Sequence, residues 1–281
     1  MSVLVFGRSG QVARELARAS DDVTCLGREA VDLSEPGAAA AAIERTAPRA
    51  VINAAAWTDV DGAETAEAEA TRVNGDAPGE MARACAAAGI PFVHISTDYV
   101  FDGGGATPWR PDDATGPLGA YGRSKLAGED AVRQAGGRFA ILRTSWVVSA
   151  HGRNFVTTML RLGAGRDALT IVADQVGGPT PARDIAAACL TLAASLGEGG
   201  PSGTYHFAGT PDTSWAGFAE TIFTDAGLAC TVTPIPSSDY PTPATRPLNS
   251  RLDGTTLRTD HGIERPDWRT GLAAILSDLR G

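Results

Sequence analysis

The sequence is poor in cysteine, has no long apolar run and carries no excess of positive charge. Its four cysteines, Cys25, Cys85, Cys189 and Cys230, are far apart and form no C-x-x-C pair. We therefore expect neither a disulfide framework nor a zinc site, and we expect a reducing, cytoplasmic compartment. Since no stretch approaches the roughly 18 apolar residues of a membrane span, we expect no contact with a membrane.

The formal net charge of −9 argues against nucleic acid as a partner. Sequence-independent binding to a nucleic acid needs a basic protein surface that displaces the counterions of the phosphate backbone. An anionic small ligand is compatible with this charge, because backbone N–H groups and a few local arginines can hold a phosphate. The apolar segment VLVF after Met1 is too short for a signal peptide and lacks a basic flank. We expect a protein that binds a small molecule as a monomer or a homodimer.

Short apolar runs alternate with helical patterns over residues 1–145. The helical patterns have apolar residues at three- and four-residue spacing, and the runs between them are four or five residues long. These runs predict strands at Val3–Phe6, Val23–Leu26, Ala50–Ala54, Phe92–Ser96 and Phe139–Arg143. Because the strands are apolar on both faces, the pattern predicts the α/β class with a Rossmann-like, doubly wound parallel sheet.

The pattern changes after Arg143, where Pro and Gly cluster in segments such as DQVGGPTPARD and SSDYPTPATRPLNS. Strands become rarer there. Helices are predicted at Asn154–Leu162, Pro181–Leu196, Ser214–Ala226 and Asp267–Leu279. We predict a dinucleotide-binding domain at 1–145. Residues 146–281 are predicted to form mainly a smaller C-terminal substrate-binding lobe, with some segments returning to the first domain.

The segment VLVFGRSGQVARELA has the pattern strand, glycine turn, helix. Gly7 and Gly10 allow a tight turn and a close approach of the backbone to a pyrophosphate at the helix N-terminus. Ala13 stands where a third glycine is more usual. A purely structural glycine turn is the alternative. The predicted cofactor contacts in this segment are Gly7, Ser9, Gly10, Gln11 and Val12.

The end of the second predicted strand, CLGRE, favours NADPH over NADH. An acidic residue there would bind the ribose 2′-hydroxyl of NADH, but this chain has Gly27 and Arg28. Arg28 can pair with a 2′-phosphate; the alternative is a solvated surface arginine, and NADH remains possible. The other predicted cofactor contacts are Asp32 and Leu33, near the adenine, and Ala54, Ala55 and Ala56, whose small side chains leave room for a sugar.

The segment AYGRSKLAGE places Tyr121 and Lys125 four residues apart, on one face of a helix. A phenol has an ordinary pKa of about 10 and is a poor acid–base catalyst near neutral pH. We expect the Lys125 ammonium, reinforced by the positive charge of an oxidised nicotinamide, to lower the pKa of Tyr121. Such pairs are common by chance. This pair is more specific, because a glycine turn that fits a nucleotide precedes it in the chain. Tyr121 also lies 24 residues after Thr97, which belongs to the polar segment HISTDYVFDG at the end of a predicted strand.

Eight segments, in order over nearly the full length, resemble the extended, nucleotide-sugar branch of the short-chain dehydrogenase/reductase superfamily. They are most similar to the dTDP-4-dehydrorhamnose reductase family. The segments are FGRSGQV, VINAAAWTDVDGAE, HISTDYVFDG, YGRSKLAGE, ILRTSWV, NFVTTMLRL, DQVGGPT and YPTPATRPLNSRL. The resemblance implies NAD(P)H-dependent reduction of the C4 keto group of a dTDP-4-keto-6-deoxy sugar. It implies Tyr121 as general acid, Lys125 as its partner and Thr97 as hydrogen-bond donor to the carbonyl.

The resemblance also implies a nucleotide-sugar substrate and its contacts. These contacts are Thr97, Asp98, Tyr99, Trp146, Asn154 and Arg251. From the residues alone, Trp146 fits a core or lobe interface equally well, and Arg251 fits a surface charge. Some members of the family hold magnesium at a dimer contact. Glu15 matches one such position, but Asp184 and Asp278 align poorly with the others, so no metal is predicted.

Two other functions stay open. One is a different nucleotide-sugar 4-ketoreductase, of antibiotic deoxysugar or dihydrostreptose biosynthesis, which uses the same Thr, Tyr and Lys. The other is a non-catalytic, nucleotide-binding regulatory subunit, which has no need of an intact catalytic set.

Overall fold

The computed structural model describes residues 2–280, and its strands and helices alternate over the first half of the chain. The strands are β1 (Val3–Phe6), β2 (Val23–Leu26), β3 (Ala50–Asn53), β4 (Phe92–Thr97), β5 (Phe139–Thr144), β6 (Val147–Val148), β7 (Ala168–Val172), β8 (Val176–Gly177), β9 (Thr180–Pro181), β10 (Gly203–His206), β11 (Thr213–Ser214), β12 (Thr231–Ile235) and β13 (Asn249–Ser250). The helices are α1 (Gln11–Ala19), α2 (Ala38–Thr46), α3 (Val60–Ala63), α4 (Glu67–Thr71), α5 (Ala77–Ala88), α6 (Ala120–Ala135), α7 (Phe155–Gly163), α8 (Ala182–Gly197), α9 (Trp215–Ala226), α10 (Thr255–His261) and α11 (Trp268–Arg280).

The central element is a six-stranded parallel sheet with the order β10-β5-β4-β3-β1-β2. The five predicted strands are confirmed to within one residue at each end. All four residues of β1 and of β3 are buried, as expected for strands covered on both faces. The predicted α/β class with a doubly wound parallel sheet is therefore confirmed.

Helices cover both faces of this sheet. One face packs against α1, α8 and α10, with Leu16, Leu192 and Leu257 in the buried layer. The other face packs against α2, α5 and α6, with Ile43, Met81 and Val132 in the buried layer. The sheet is thereby held rigidly between two layers, and its carboxyl edge carries the loops that form the candidate site.

Segments beyond residue 145 do return to the sheet, since β10 pairs with β5 in the register His206↔Arg143, and α8 packs on one face. The other late elements form a separate apolar cluster in which α7, α9 and α11 pack around Phe218 and Trp268. The four predicted late helices are confirmed to within one residue at each end, as α7, α8, α9 and α11. Asn154 and Ser214 accept hydrogen bonds from the first turns of α7 and α9. The domain boundary at residue 145 stays a prediction.

Within residues 2–280, no helix combines the length and the apolar character needed to cross a bilayer.

Candidate active site

A large cleft opens at the carboxyl edge of the sheet, where β1 lies between β2 and β3. Chain order changes direction at this point, and such crevices are where open α/β sheets bind ligands. The cleft encloses about 1330 Å³ and is lined by residues that follow β1, β2 and β3. This volume exceeds the range of about 300–1,000 Å³ for drug-sized ligands, so the cleft has room for a dinucleotide.

The glycine turn forms one wall of the cleft and has no room for a side chain at Gly7. Gly7 has a φ of +115°, and a Cβ there would lie 3.1 Å from the backbone C and O of Ala54. The Gly7 amide donates to Leu26 O at 2.9 Å, which ties the turn to β2. Helix α1 begins at Gln11, directly after the turn, so its first free N–H groups lie beside this wall. The turn is built to admit a group close to the backbone, such as a pyrophosphate.

Most of the predicted cofactor residues line this cleft. They are Gly7, Ser9, Gly10, Arg28, Asp32, Leu33, Ala54, Ala55 and Ala56. Two others point their side chains elsewhere. Gln11 accepts a hydrogen bond from Ser149 Oγ at 2.8 Å, and Val12 is buried in the core beneath the sheet. Only the backbone N–H groups of Gln11 and Val12 remain for a ligand at the helix N-terminus.

The cleft wall is rich in arginine, although the chain as a whole is acidic. Arg28 is 82% exposed, and its Nε lies 3.2 Å from Asp32 Oδ2. Arg8 pairs with Glu29 at 2.6 Å, and Arg14 and Arg72 also line the cleft. The sequence interpretation missed Arg8, Arg14 and Arg72. Arg8 had a local signal, because it lies inside the glycine turn, whereas Arg72 comes from a distant part of the chain and is held by hydrogen bonds to Ser34 O, Asp76 and Glu80.

The acidic residues considered for magnesium, Glu15, Asp184 and Asp278, line a smaller pocket outside the cleft. Glu15 Oε1 is 3.0 Å from His151 Nε2, and Asp278 pairs with Arg18 at 2.8 Å. Within residues 2–280, no three His, Cys, Asp or Glu side chains are grouped so that they could hold a metal ion.

Thr97 and Tyr121 meet at the carboxyl end of β4. Thr97 is the last residue of β4, and Tyr121 lies in the first turn of α6. The Thr97 hydroxyl near the Tyr121 phenol favours the ionised phenol, but burial dominates and raises the pKa of Tyr121 to about 12. Thr97 Oγ1 also accepts from Tyr99 N at 3.2 Å and lies 3.1 Å from Asp98 Oδ1. The two hydroxyls predicted to contact the substrate carbonyl are thus brought together.

Lys125 lies one turn further along α6 and is buried. Its Nζ donates to Ile95 O at 2.7 Å, and burial lowers its pKa to about 8 although Glu129 opposes the shift. The expected lowering of the Tyr121 pKa by Lys125 is wrong for the chain as it stands. The ammonium is bound to a strand carbonyl, and the burial of the phenol outweighs the other influences on it. Tyr121 is therefore protonated at neutral pH.

A buried ion cluster fixes α6 to the sheet behind these residues. Arg143 makes a two-pronged contact with Glu129, with Nε–Oε1 at 2.9 Å and Nη2–Oε2 at 2.7 Å. Ser96 Oγ donates to the same carboxylate at 2.6 Å, from the strand face opposite to Thr97. The cluster joins β4, β5 and α6, so it sets the position of the helix that carries Tyr121 and Lys125. The sequence interpretation missed it, although Glu129 follows Lys125 by one helical turn.

Trp146 and Ser250 extend the site towards the C-terminal half of the chain. Trp146 has a φ of +50°, which is uncommon for a large side chain, and its ring stacks on Trp215 at 3.6 Å. A Cβ at Gly177 would meet both Ser250 Cβ at 2.9 Å and Trp146 Cε2 at 3.1 Å. Ser250 in turn faces the buried carboxyl of Asp98. Trp146 is thereby brought next to the residues around Thr97.

Tyr99 packs edge-on against Tyr121, with ring centroids 5.4 Å apart. Burial raises its pKa above the ordinary value, with Asp98 adding to the shift and the nearby Arg246 opposing it. Arg246 Nη2 pairs with Asp61 Oδ2 at 2.9 Å, which connects the loop before β13 to α3. Arg246 was not among the predicted site residues, although it lies in the RPLNSRL segment. Arg246 acts on Tyr99, whereas the contacts of Arg251, in the same segment, are with Asn249 and Asp212.

Asn154 and Arg251 are engaged in contacts within the lobe. The Asn154 side chain accepts from Thr157 N and donates to Ser149 O at 2.8 Å, which is the arrangement of a helix cap. Arg251 Nη1 donates to Asn249 Oδ1 at 3.0 Å, and its Nε lies 3.8 Å from Asp212. The structure does not bring either side chain to Thr97 or Tyr121 through any described contact.

Comparison with known proteins agrees with this geometry. A family model described as the RmlD substrate binding domain matches residues 1–280. A dTDP-4-dehydrorhamnose reductase of Burkholderia thailandensis is 45% identical, over 99% of both chains. The crystal structure of a dTDP-4-dehydrorhamnose reductase from Clostridium acetobutylicum superimposes with a TM-score of 0.94, at 34% identity and full coverage of both chains. A dTDP-4-dehydrorhamnose reductase from Bacillus anthracis, solved in complex with NADP, has a TM-score of 0.93 at 31% identity, over 98% of both chains. The chain belongs to the dTDP-4-dehydrorhamnose reductase family, oxidoreductases of the extended short-chain dehydrogenase/reductase type.

Proposed function

We propose that this chain uses NADPH to reduce the C4 keto group of dTDP-4-dehydrorhamnose, a dTDP-4-keto-6-deoxy sugar, with Tyr121 as the general acid. The observation that carries the proposal is the placement of Thr97, at the end of β4, beside Tyr121, in the first turn of α6: the Tyr99 backbone donates to Thr97 and the Tyr99 ring packs on Tyr121. Tyr121 lies one helical turn from the buried Lys125 on α6, and Lys125 is bonded to β4 of the same sheet whose edge carries the dinucleotide-sized cleft, although neither side chain lines that cleft. Residues 1–145 would then bind mainly the dinucleotide, and residues 146–281 mainly the sugar nucleotide.

The cleft suits NADPH on two observations of its lining. The glycine turn leaves no space for a Cβ at Gly7, as a backbone cradle for pyrophosphate requires, and exposed arginines surround it. Gly7, Ser9 and Gly10 would hold the pyrophosphate, and Arg28 the 2′-phosphate. When bound, NADPH supplies the hydride that reduces C4.

The protein's own groups supply the proton and stabilise the developing charge. Tyr121 donates its phenolic proton to the oxygen on C4, because its raised pKa keeps it protonated at neutral pH. Thr97 donates a hydrogen bond to the same oxygen, which stabilises the negative charge that develops there. Lys125 is positioned to hold the cofactor ribose, since its ammonium is buried next to Ile95 O and has two further protons to donate. Tyr99 and Trp146 would form walls of the sugar pocket.

The test is an assay of NADPH oxidation with dTDP-4-dehydrorhamnose and with a panel of other nucleotide-linked 4-keto sugars. We expect NADPH consumption with dTDP-4-dehydrorhamnose and a product that NMR identifies as dTDP-rhamnose. Faster turnover with another sugar would support the alternative 4-ketoreductase. NADPH binding without consumption for any member of the panel would contradict the proposal and support a regulatory subunit.

Cofactor selectivity provides a separate prediction about Arg28. Replacing Arg28 with Ala is expected to raise KM for NADPH by about 10–100-fold, the scale of one hydrogen bond between charged groups. KM for NADH should change little, because NADH has no 2′-phosphate for the guanidinium to contact. Steady-state kinetics with both cofactors measures the ratio directly.

Arg14→Ala is the matched control, because Arg14 lines the same cleft and its loss changes the charge equally. We expect Arg14→Ala to leave the ratio of the two KM values within about twofold of wild type, since a charge that does not touch the 2′-phosphate acts on both cofactors alike. A fall in NADPH preference with Arg14→Ala but not with Arg28→Ala would show that the 2′-phosphate is held elsewhere.

A further inference from the structure

The carboxyl group of Asp98 is buried directly beside the two hydroxyls of the site. Asp98 is only 2% exposed, and its Oδ1 lies 3.1 Å from Thr97 Oγ1. Its Oδ2 is also buried and has no hydrogen-bond partner within residues 2–280. The Ser250 hydroxyl faces the carboxyl without completing a hydrogen bond to that oxygen. Burying a carboxylate with an unpaired oxygen costs far more than burying the neutral acid in the same place.

An ionised Asp98 would direct the hydroxyl protons of Thr97 and Tyr121 away from a substrate. A threonine hydroxyl has one proton and two lone pairs. The Tyr99 N–H occupies one lone pair, at 3.2 Å. An Asp98 carboxylate can only accept, so Thr97 donates its hydrogen bond to Asp98 Oδ1. The second lone pair of Thr97 is then free to accept a hydrogen bond from the Tyr121 phenol. Both hydroxyl protons are then directed to oxygens of the protein and neither to a substrate.

A protonated Asp98 reverses this arrangement. The acid O–H can donate to Thr97 Oγ1, where it occupies the lone pair that would otherwise accept from Tyr121. The protons of Thr97 and Tyr121 are then both free to point towards an oxygen outside the protein. A keto oxygen that becomes an alkoxide needs these two donors.

We propose that Asp98 is a positioning residue that acts as a neutral carboxylic acid during reduction, and that it reverses its hydrogen bond to Thr97 so that Thr97 and Tyr121 both donate to the substrate oxygen. This inference rests on the roles proposed for Thr97 and Tyr121. Asp98 itself contributes no proton to the product, which receives the proton of Tyr121.

The surroundings of Asp98 favour the neutral form. Burial raises its pKa to about 6, although the hydroxyls of Ser250 and Thr97 oppose the shift. The titratable groups that face it are Tyr99 and Tyr121, and both are uncharged near neutral pH. Beyond Tyr99, Arg246 and Asp61 pair with each other. A bound nucleotide diphosphate adds negative charge and excludes water, and both effects raise the pKa of Asp98 further.

The experiment compares single-turnover NADPH oxidation, with dTDP-4-dehydrorhamnose as substrate, in wild type, Asp98→Asn and Asp112→Asn. Asp112 is an exposed aspartate, so its variant removes the same charge away from the site. Wild type and Asp112→Asn should lose rate as pH rises through the pKa of Asp98, approaching tenfold per pH unit. Asp98→Asn should show no such loss, because its amide N–H₂ donates to Thr97 at every pH. The 2′-phosphate of NADPH, with a pKa of about 6, titrates in all three proteins and cancels in the comparison.

Two results would overturn the inference. One is an Asp98→Asn profile with the same loss of rate as wild type. The other, which does not depend on the variant folding, is a carboxyl ¹³C NMR titration of wild type in which Asp98 stays ionised in the complex at pH values below 6. Titration of Asp98 at or above its value in the free protein supports the inference. A wild type that binds NADPH but never oxidises it would instead contradict the proposed function.

Discussion

Replacing Tyr121 with Phe is expected to lower the rate of hydride transfer by about 10²–10⁴-fold, the usual contribution of a general acid. The phenol keeps its proton at neutral pH, since burial raises its pKa to about 12, and it lies beside Thr97 where the proposed substrate oxygen would bind. Phe keeps the ring and its packing, so NADPH affinity should stay within about twofold of wild type. Stopped-flow measurement of NADPH oxidation, together with cofactor titration, separates the two quantities.

Tyr99→Phe is the matched control for this prediction. The Tyr99 ring packs edge-on against Tyr121, and its contact with Thr97 is made by the backbone N–H, which the substitution leaves in place. We expect the hydride-transfer rate of Tyr99→Phe to fall by less than about tenfold, since it removes at most a binding contact. A Tyr121→Phe enzyme that works at nearly the wild-type rate would contradict the mechanism. Equal losses in the two variants would also contradict it, because they would assign no special role to the Tyr121 proton.

The nucleotide half of the fold follows from local patterns in the sequence. β1 and β2 lie at the predicted residues because a four-residue apolar run between turn residues is long enough for a buried strand and too short for a helix. Gly7 could be recognised from its position after β1, because only a glycine fits a φ of +115° against the Ala54 backbone. In these elements the local preference and the tertiary packing agree.

The strands of the C-terminal half could not be predicted in the same way. β6, β8, β9, β11 and β13 are two residues long, and β8 pairs with β11 and β13 from distant parts of the chain. A strand of two residues has no periodicity to detect, and its hydrogen bonds depend on the packing of the lobe. By contrast, α7 and α9 were predicted, since nine or more residues carry a helical pattern and Asn154 or Ser214 marks the start.

In the candidate site, too, residues paired by local spacing could be predicted, and residues brought together by long-range contacts could not. Tyr121 and Lys125 could be paired from their spacing, because a helix converts four residues into one turn. The contact of Arg246 with Asp61 could not, since 185 residues separate them and a loop carries one of the two. For Asn154 a local signal was present. Asn followed three residues later by Thr is a capping pattern, and the structure shows both of its hydrogen bonds.

The buried carboxylate behind the catalytic helix yields the second large prediction. Replacing Glu129 with Gln is expected to lower the free energy of unfolding by about 3–5 kcal/mol, the usual cost of breaking a buried ion pair. Arg143 is 1% exposed and stays charged, and within residues 2–280 no other carboxylate lies within ion-pair distance of it. Gln keeps the size of Glu129 and can still accept from Ser96, so the loss isolates the charge. Thermal unfolding should show a decrease in Tm on the order of 10 °C.

Glu67→Gln is the control, because Glu67 on α4 forms an exposed pair at 2.7 Å with Arg123, which lies on α6 as Glu129 does. An exposed pair contributes at most about 1 kcal/mol, so Glu67→Gln should have nearly wild-type stability.

The difference in stability between wild type and Glu129→Gln should also depend on pH. Burial alone would raise the pKa of Glu129, but Arg143, Ser96 and Arg133 outweigh it, and the pKa lies below the ordinary value. A lowered folded-state pKa stabilises the fold above the unfolded pKa and ceases to do so as pH falls through the folded value. The difference should therefore be largest at neutral pH and shrink in acid, and equal losses for the two variants would show that the buried pair does not anchor α6.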